Sequence, residues 1–146
     1  MNYKINDRNR LYLSAYYGRD IFDFSGRFGI NWGNSTVSGR WNHIWNGLTF
    51  SNTSFIYSDY NYRVGIDFEP FAFSILSQIN NLNLKHDIQF FINDKISLST
   101  GYSGIYHTIT PGQVEAPAES DINPIRQQQR YGLEQALYAS VNYKPS

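Results

Sequence analysis

Three histidines, His43, His86 and His107, are the side chains best suited to acid–base or metal chemistry at neutral pH. They fall on separate stretches at no ligand-type spacing, and the chain has no cysteine, so neither a thiolate site nor a cysteine nucleophile can be assembled. A serine triad would need a hydroxyl, an imidazole and an acid or amide converging at one point. His43 and His107 have many serines to choose from, and no motif singles one out. No catalytic residue, metal site or cofactor follows from these types and spacings, and the chain reads as a non-enzyme. Asn34-Ser35-Thr36 and Asn52-Thr53-Ser54 match the glycosylation acceptor pattern, but both lie within extended stretches and are set aside. Binding chemistry is concentrated instead in residues 111–130, where Glu115, Glu119, Asp121, Arg126 and Arg130 are interleaved with Pro111, Pro117 and Pro124. A stretch this long without periodicity is either a ligand or lid contact or a solvated external loop.

The background against which these residues sit is unusual. Lys and Arg number 12 and Asp and Glu number 12, so no global field draws the chain to nucleic acid. At 146 residues it is one domain or part of one. Aromatic residues make up 17%, with 12 tyrosines, yet the mean hydropathy is −0.47. Rings interleaved with Asn, Ser, Thr and Gly suit strands with one apolar and one polar face, the mixture a transmembrane barrel requires. No run of about 18 apolar residues is present, which excludes a spanning helix. The first ten residues are polar and lack the apolar stretch of a secretory signal, so an export signal is expected outside this stretch of sequence.

Period-two alternation locates the elements that must carry the polar groups. A stub at 3–5 and a polar knot at 5–9 precede a strand over 10–18, with Leu11, Leu13, Ala15 and Tyr17 on one face. Residues 20–27, with Asp20, Asp23, Ser25 and Gly26 around Phe22 and Phe24, read as a loop. Over 28–45, Val37, Gly39, Trp41, His43 and Trp45 oppose Thr36, Ser38, Arg40 and Asn42, and Asn46-Gly47 signals a tight hairpin. A strand over 49–64 follows, whose faces do not separate cleanly. After a turn at 67–70, residues 71–91 are extended. Phe71, Phe73 and Ile75 are odd-numbered and Leu82, Leu84, Ile88 and Phe90 even-numbered, which predicts a bulge near 78–81. Asn93-Asp94-Lys95 turns the chain into a strand over 96–110. The loop over 111–129 follows, and then a strand over 131–143 with Leu133, Leu137, Ala139, Val141 and Tyr143 opposite Glu134, Tyr138, Ser140 and Asn142.

The fold class is therefore all-β, an antiparallel meander of about seven strands. Short turns at 6–9, 46–47 and 93–95 alternate with longer connections, the rim asymmetry of outer-membrane barrels, so the meander is expected to be part of a large transmembrane β-barrel. Tyr12, Tyr16, Trp41, Trp45, Tyr57 and Tyr102 form either a sugar-stacking surface or an interfacial girdle. Trp41 and Trp45, beside a short turn, are expected to be girdle residues. Arg40, Lys85, Asp87, Glu134 and Asn142 alternate away from the apolar face and are expected to line the lumen.

Several of these segments resemble the barrel of TonB-dependent outer-membrane receptors of the Bacteroidetes type. They are Phe28-Gly29-Ile30-Asn31-Trp32-Gly33-Asn34 leading to Arg40-Trp41-Asn42-His43, Phe50-Ser51-Asn52-Thr53-Ser54 with Tyr57-Ser58-Asp59-Tyr60, and Ile105-Tyr106-His107-Thr108 before Pro111-Gly112. The resemblance implies a bacterial outer-membrane receptor importing a scarce nutrient, a glycan, a siderophore or similar. The implied partners are outer-membrane lipid, the receptor's own plug domain, TonB, the imported ligand and a surface lipoprotein, with no nucleic acid. Such barrels use roughly 22 strands, so residues 1–146 are expected to be an internal piece with no plug domain and no signal peptide. A non-transport surface barrel or adhesin is the alternative, and a lipocalin-like carrier with apolar residues inside is a third reading. Pairing of the first and last strands separates a small closed barrel from a receptor piece.

Overall fold

A computed structural model describes residues 1–145. Its strands are β1 (Asn2–Asn6), β2 (Asn9–Phe24), β3 (Phe28–Asn46), β4 (Thr49–Ile66), β5 (Phe73–Phe91), β6 (Ile96–Glu115) and β7 (Arg130–Tyr143), with no helix among the described residues. They form one antiparallel sheet in chain order, so the expected meander of seven strands is observed. β1 and β7 lie at opposite edges and do not pair, and the sheet is not closed into a barrel.

The turns of one rim, here called proximal, are tight: residues 7–8, 47–48 and 92–95. Side-chain acceptors set them, with Asn46 Oδ1 accepting from the Leu48 N–H at 2.9 Å and Asn93 Oδ1 accepting from the Lys95 and Ile96 N–H groups. Connections on the distal rim, residues 25–27, 67–72 and 116–129, lengthen along the chain.

Two expected loops turn out to be strand in part. β2 continues through residues 20–24, because each residue there pairs with β3 down to Phe24 opposite Phe28. The reversal is compressed into three residues by left-handed Ser25 (φ 55) and Gly26 (φ 67), with Asp23 Oδ1 accepting from the Gly26 N–H. β6 likewise runs past Thr110 to Glu115. Leu76 pairs with Gln113 and Gln78 with Thr110, so Pro111 and Gly112 together oppose Ser77. Pro111 has no N–H to offer a ladder and sits where the ladder is interrupted.

This bulge belongs to β6 and corrects the expectation of one near 78–81 in β5. Pairing of β5 with β4 is unbroken from Phe73 opposite Ile66 to Phe90 opposite Thr49. The apolar residues of β5 change parity because they change face. One face, the Leu face, carries Leu13, Val37, Phe55, Leu84, Tyr102 and Leu137; the other, the Lys face, carries Ser14, Ser38, Ser54, Lys85, Ser103 and Tyr138. In the proximal half the Leu face is apolar and the Lys face polar. Beyond the row Tyr17, Ser35, Asp59, Asn80, Thr108 the assignment reverses. There Trp32, Tyr62, Ile75 and Ile79 lie on the Lys face, and Asn31, Asn61, Arg63 and Gln78 on the Leu face.

Ala72, 7% exposed, is the one buried apolar residue among those described, so no conventional core exists. Accessible surface is 10544 Å², against about 7700 Å² for a compact chain of this mass. The strands are held by ladders and cross-strand side-chain pairs. At Gly101 the neighbouring Tyr138 ring lies across the strand, where a Cβ would come within 2.6 Å of its Cζ and 2.7 Å of the His86 carbonyl oxygen. Gly101→Ala is accordingly expected to lower the denaturation midpoint of the refolded chain by the equivalent of about 1–3 kcal/mol. Gly47→Ala, with nothing within 4 Å of its added Cβ, should stay within about 0.5 kcal/mol.

Candidate functional site

The apolar half of the Leu face is a continuous band. It spans residues 37–45 on β3, 82–90 on β5, 96–106 on β6 and 133–143 on β7, nine to eleven residues per strand. Leu13, Val37, Phe55, Leu84, Val141 and Leu137 in it are between 43% and 84% exposed. At about 3.3 Å per residue and a tilt near 45°, eleven residues rise about 25 Å, the height of the apolar belt of an outer-membrane barrel.

Both margins of the band are aromatic. At the distal margin stand Tyr17, Tyr57, Tyr106 and Tyr131, the last two stacked with centroids 6.1 Å apart. Trp45 stands at the proximal margin beside the hairpin, and Trp41 lies in the middle of the β3 segment opposite Thr53, the two on either side of His43 with centroids 4.6 and 5.4 Å from it. Tyr12 and Tyr16, grouped with them on sequence, lie on the opposite face, where Tyr12 stacks under the Arg40 guanidinium at 4.6 Å.

Several polar groups within the band are satisfied by protein, whereas Gln135, opposite Gly104, is exposed on it. Trp41 Nε1 donates to Asn9 Oδ1 at 2.9 Å and Trp45 Nε1 to Ser51 Oγ at 3.0 Å. Because an indole N–H only donates, Asn9 presents its carbonyl oxygen, and His43 Nδ1, 2.7 Å from the same oxygen, must carry a hydrogen. Thr53 Oγ1 and His86 Nδ1 pair at 2.9 Å, and Thr100 Oγ1 donates to the Tyr138 carbonyl at 3.0 Å.

The Lys face of the proximal half is the reverse. Arg40, Lys85, Asp87, Glu134 and Asn142 all lie on it, as the alternation predicts. Lys85 bridges to Asp87 at 3.4 Å and lies 5.7 Å over the Tyr138 ring. Buried Asn42 Oδ1, Asn83 Oδ1 and His107 Nε2 on this face have no hydrogen-bond partner. Glu134 Oε1, 3.5 Å from His107 Nε2, is too poorly placed to supply one. Unmet polar capacity calls for water or a polar occupant.

The five residues assigned to the 111–130 stretch do not converge. Glu115 is in β6, not in a loop, and reaches across β5 to pair with Arg63 on the Leu face at 2.5 Å. Arg130 opens β7 on the Lys face opposite Ile109. Glu119, Asp121 and Arg126 are exposed on the 116–129 connection, which is tied down through the Asp121 N–H donating to the Pro70 carbonyl at 2.8 Å. Beside it, at the distal rim of the Leu face, lies a shallow trough of about 570 Å³ floored by Gly29, Gly65 and Ser74 and flanked by Arg63 and Glu115. Arg63 was not singled out from sequence, since an isolated arginine in a strand with mixed faces has no local signature.

Asp59 was also missed. Its carboxylate takes amide hydrogens from Asn61 at 2.9 Å, from Gln78 at 2.5 Å and from Asn80. The Asp59-x-Asn61 spacing, which puts both on one strand face, was the available signal. At the proximal rim the hydrogen bond and charge of Lys4 hold the exposed Asp7 carboxyl below its ordinary range, so this contribution is present above the unfolded pKa and lost as pH falls through the folded one. No group of three or more His, Asp or Glu among the described residues could hold a metal ion.

No family model, no curated protein and no solved structure matches the chain.

Proposed function

We propose that this chain is a section of the wall of an outer-membrane β-barrel, belonging to a TonB-dependent receptor that imports a scarce nutrient. The observation that carries the membrane assignment is the predominantly apolar band, nine to eleven residues long on each strand with every second residue on the Leu face, bordered by tyrosine and tryptophan and present on one half of one face only. A lipocalin-like carrier would keep one face apolar along the full strand, and the reversal beyond Asp59 and Asn80 argues against it. In the barrel reading the Leu face meets lipid, the Lys face lines the lumen, and Arg40, Lys85, Asp87, Glu134 and Asn142 meet the plug or the passing ligand. The receptor assignment rests further on the resemblance carried by segments such as Phe28 to Asn34 and on the open sheet edges, to which further strands can add. No reaction is assigned to it.

Topology tests this reading directly, and the absence of native cysteine makes the labelling clean. In intact cells, a cysteine placed at Ala118 in the distal connection should react with an impermeant maleimide. A cysteine at Gly47 should react only after the outer membrane is permeabilised. Equal labelling at both positions in intact cells, or protection of both, would reject the assignment.

A further inference from the structure

On the Leu face, immediately beyond the tyrosine margin, Asp59 organises a strip rich in acceptors. Asn61, Gln78 and Asn80 each spend an amide N–H on its carboxylate, which can only accept. This fixes the amide orientations and turns the three carbonyl oxygens away from Asp59. None of those oxygens receives a hydrogen bond from the described residues, and none is buried without a partner. The Asn61 amide lies over Gly33, where a Cβ would be 3.3 Å from Asn61 Oδ1. Tyr57 accepts from Asn80 Nδ2 at 3.2 Å, which leaves its phenolic hydrogen free to donate outward.

Asn61 and Gln78 each keep a second N–H and Tyr57 its O–H, so the strip presents three carbonyl oxygens, with two lone pairs each, against three free hydrogens. Charge points the same way: beyond the margin, Arg19 and Arg63 on this face face three acids, Asp23, Asp59 and Glu115, and Arg63 is already paired with Glu115. A phosphate head group offers acceptors and negative charge, and it meets a strip with more lone pairs than free hydrogens and an excess of acids. A saccharide head group offers many hydroxyl donors and is met by the free amide oxygens.

On the outer-membrane reading given above, we infer that this strip contacts the sugar head groups of a glycolipid leaflet, continuing the lipid contact of the band into the head-group layer. The Asp59 cluster would then be a recognition element for saccharide-headed lipid, with Tyr57 as the hinge between acyl chain and sugar.

The test is partition of the 146-residue chain into two kinds of vesicle, phosphatidylethanolamine with digalactosyldiacylglycerol and phosphatidylethanolamine with phosphatidylglycerol. The chain's zero formal charge keeps bulk electrostatics out of the comparison. Partition is expected to be roughly tenfold stronger into the galactolipid vesicles. The charge-neutral double variant Asn61→Ala/Asn80→Ala, which removes two of the three amide oxygens, should bring the ratio near one while leaving partition into phosphatidylglycerol vesicles unchanged. Gln78→Leu, which keeps two of the three contacts, should fall between. Equal partition of the unaltered chain overturns the saccharide inference alone. Failure to enter either vesicle overturns the outer-membrane reading and this inference with it.

Discussion

Leu84→Arg will expel the chain from lipid, while Asn83→Arg, one residue away, will leave it in place. Leu84 lies at the middle of the band between Phe55 and Gly104 and is 46% exposed. Arginine at the centre of an apolar belt costs about 2–4 kcal/mol, or roughly thirty- to a thousand-fold in partition. Asn83 stands on the opposite face among Ile56, Ile105 and the Lys85 and Glu134 side, where its Oδ1 already lacks a partner. A cation there meets a polar surface and should change partition within the few tenths of a kcal/mol typical of surface positions. Vesicle flotation of the two variants gives the comparison. Equal behaviour of the pair would mean that the Leu face does not contact hydrocarbon.

The second large effect concerns the whole chain. Without amphiphile it should give no monodisperse monomer and no cooperative melt, whereas in detergent or bilayer a sharp transition is expected. The reason lies in the surface it exposes: the excess over a compact chain of equal mass is close to 3000 Å² on the figures of about 7700 Å² and 10544 Å². Both faces are a single layer, and the edges at β1 and β7 offer unpaired backbone groups to any neighbour. Size-exclusion chromatography with calorimetry decides it. A detergent-free monomer with a sharp melt would show that the sheet is self-sufficient.

Much of the sheet could be read from residue order, and the misreadings share one cause. β7 and the proximal part of β6 alternate cleanly because each lies within one zone, so Leu133, Leu137 and Val141 separate from Glu134, Ser140 and Asn142 without ambiguity. The proximal hairpin is local chemistry and legible to within one residue: Asn46-Gly47 signals a type I′ turn, whereas the chain turns at Gly47-Leu48 with neither Asn46 nor Gly47 at positive φ. Errors occur where strands cross the tyrosine row. In β4, Phe55 and Tyr57 are on the Leu face but Tyr60, Tyr62 and Val64 on the Lys face, which is why its faces could not be separated. In β5 the same crossing looked like a bulge. In β2 and β6 it looked like the end of a strand, because Asp20, Asp23 and Pro111-Gly112 appeared just as the alternation changed phase. A reversal of environment along one strand and an interruption of the strand leave the same trace in residue order. Only the ladder partners distinguish them. The Glu115 pairing with Arg63 joins residues 52 positions apart and was not recoverable from local spacing, whereas the Asp59 cluster left only the Asp59-x-Asn61 spacing as a trace, its Gln78 and Asn80 partners lying on the next strand.

The phase reversal also limits how such a chain can drift over evolutionary time. Each long strand carries two hydrophobic codes of opposite parity, joined at a fixed point beside the tyrosines. Loss or gain of a single residue inside a strand would put one code out of step with its neighbours across the whole sheet, while a change of two residues would preserve both. Of the two single-residue irregularities in the long ladders, the one at Trp45 abuts the proximal hairpin, and the one at Pro111-Gly112 lies well into the distal zone, where only the short segment up to Glu115 has to be rephased. Length variation is thereby channelled into the distal connections and into paired steps, and the strands are left to vary by substitution alone.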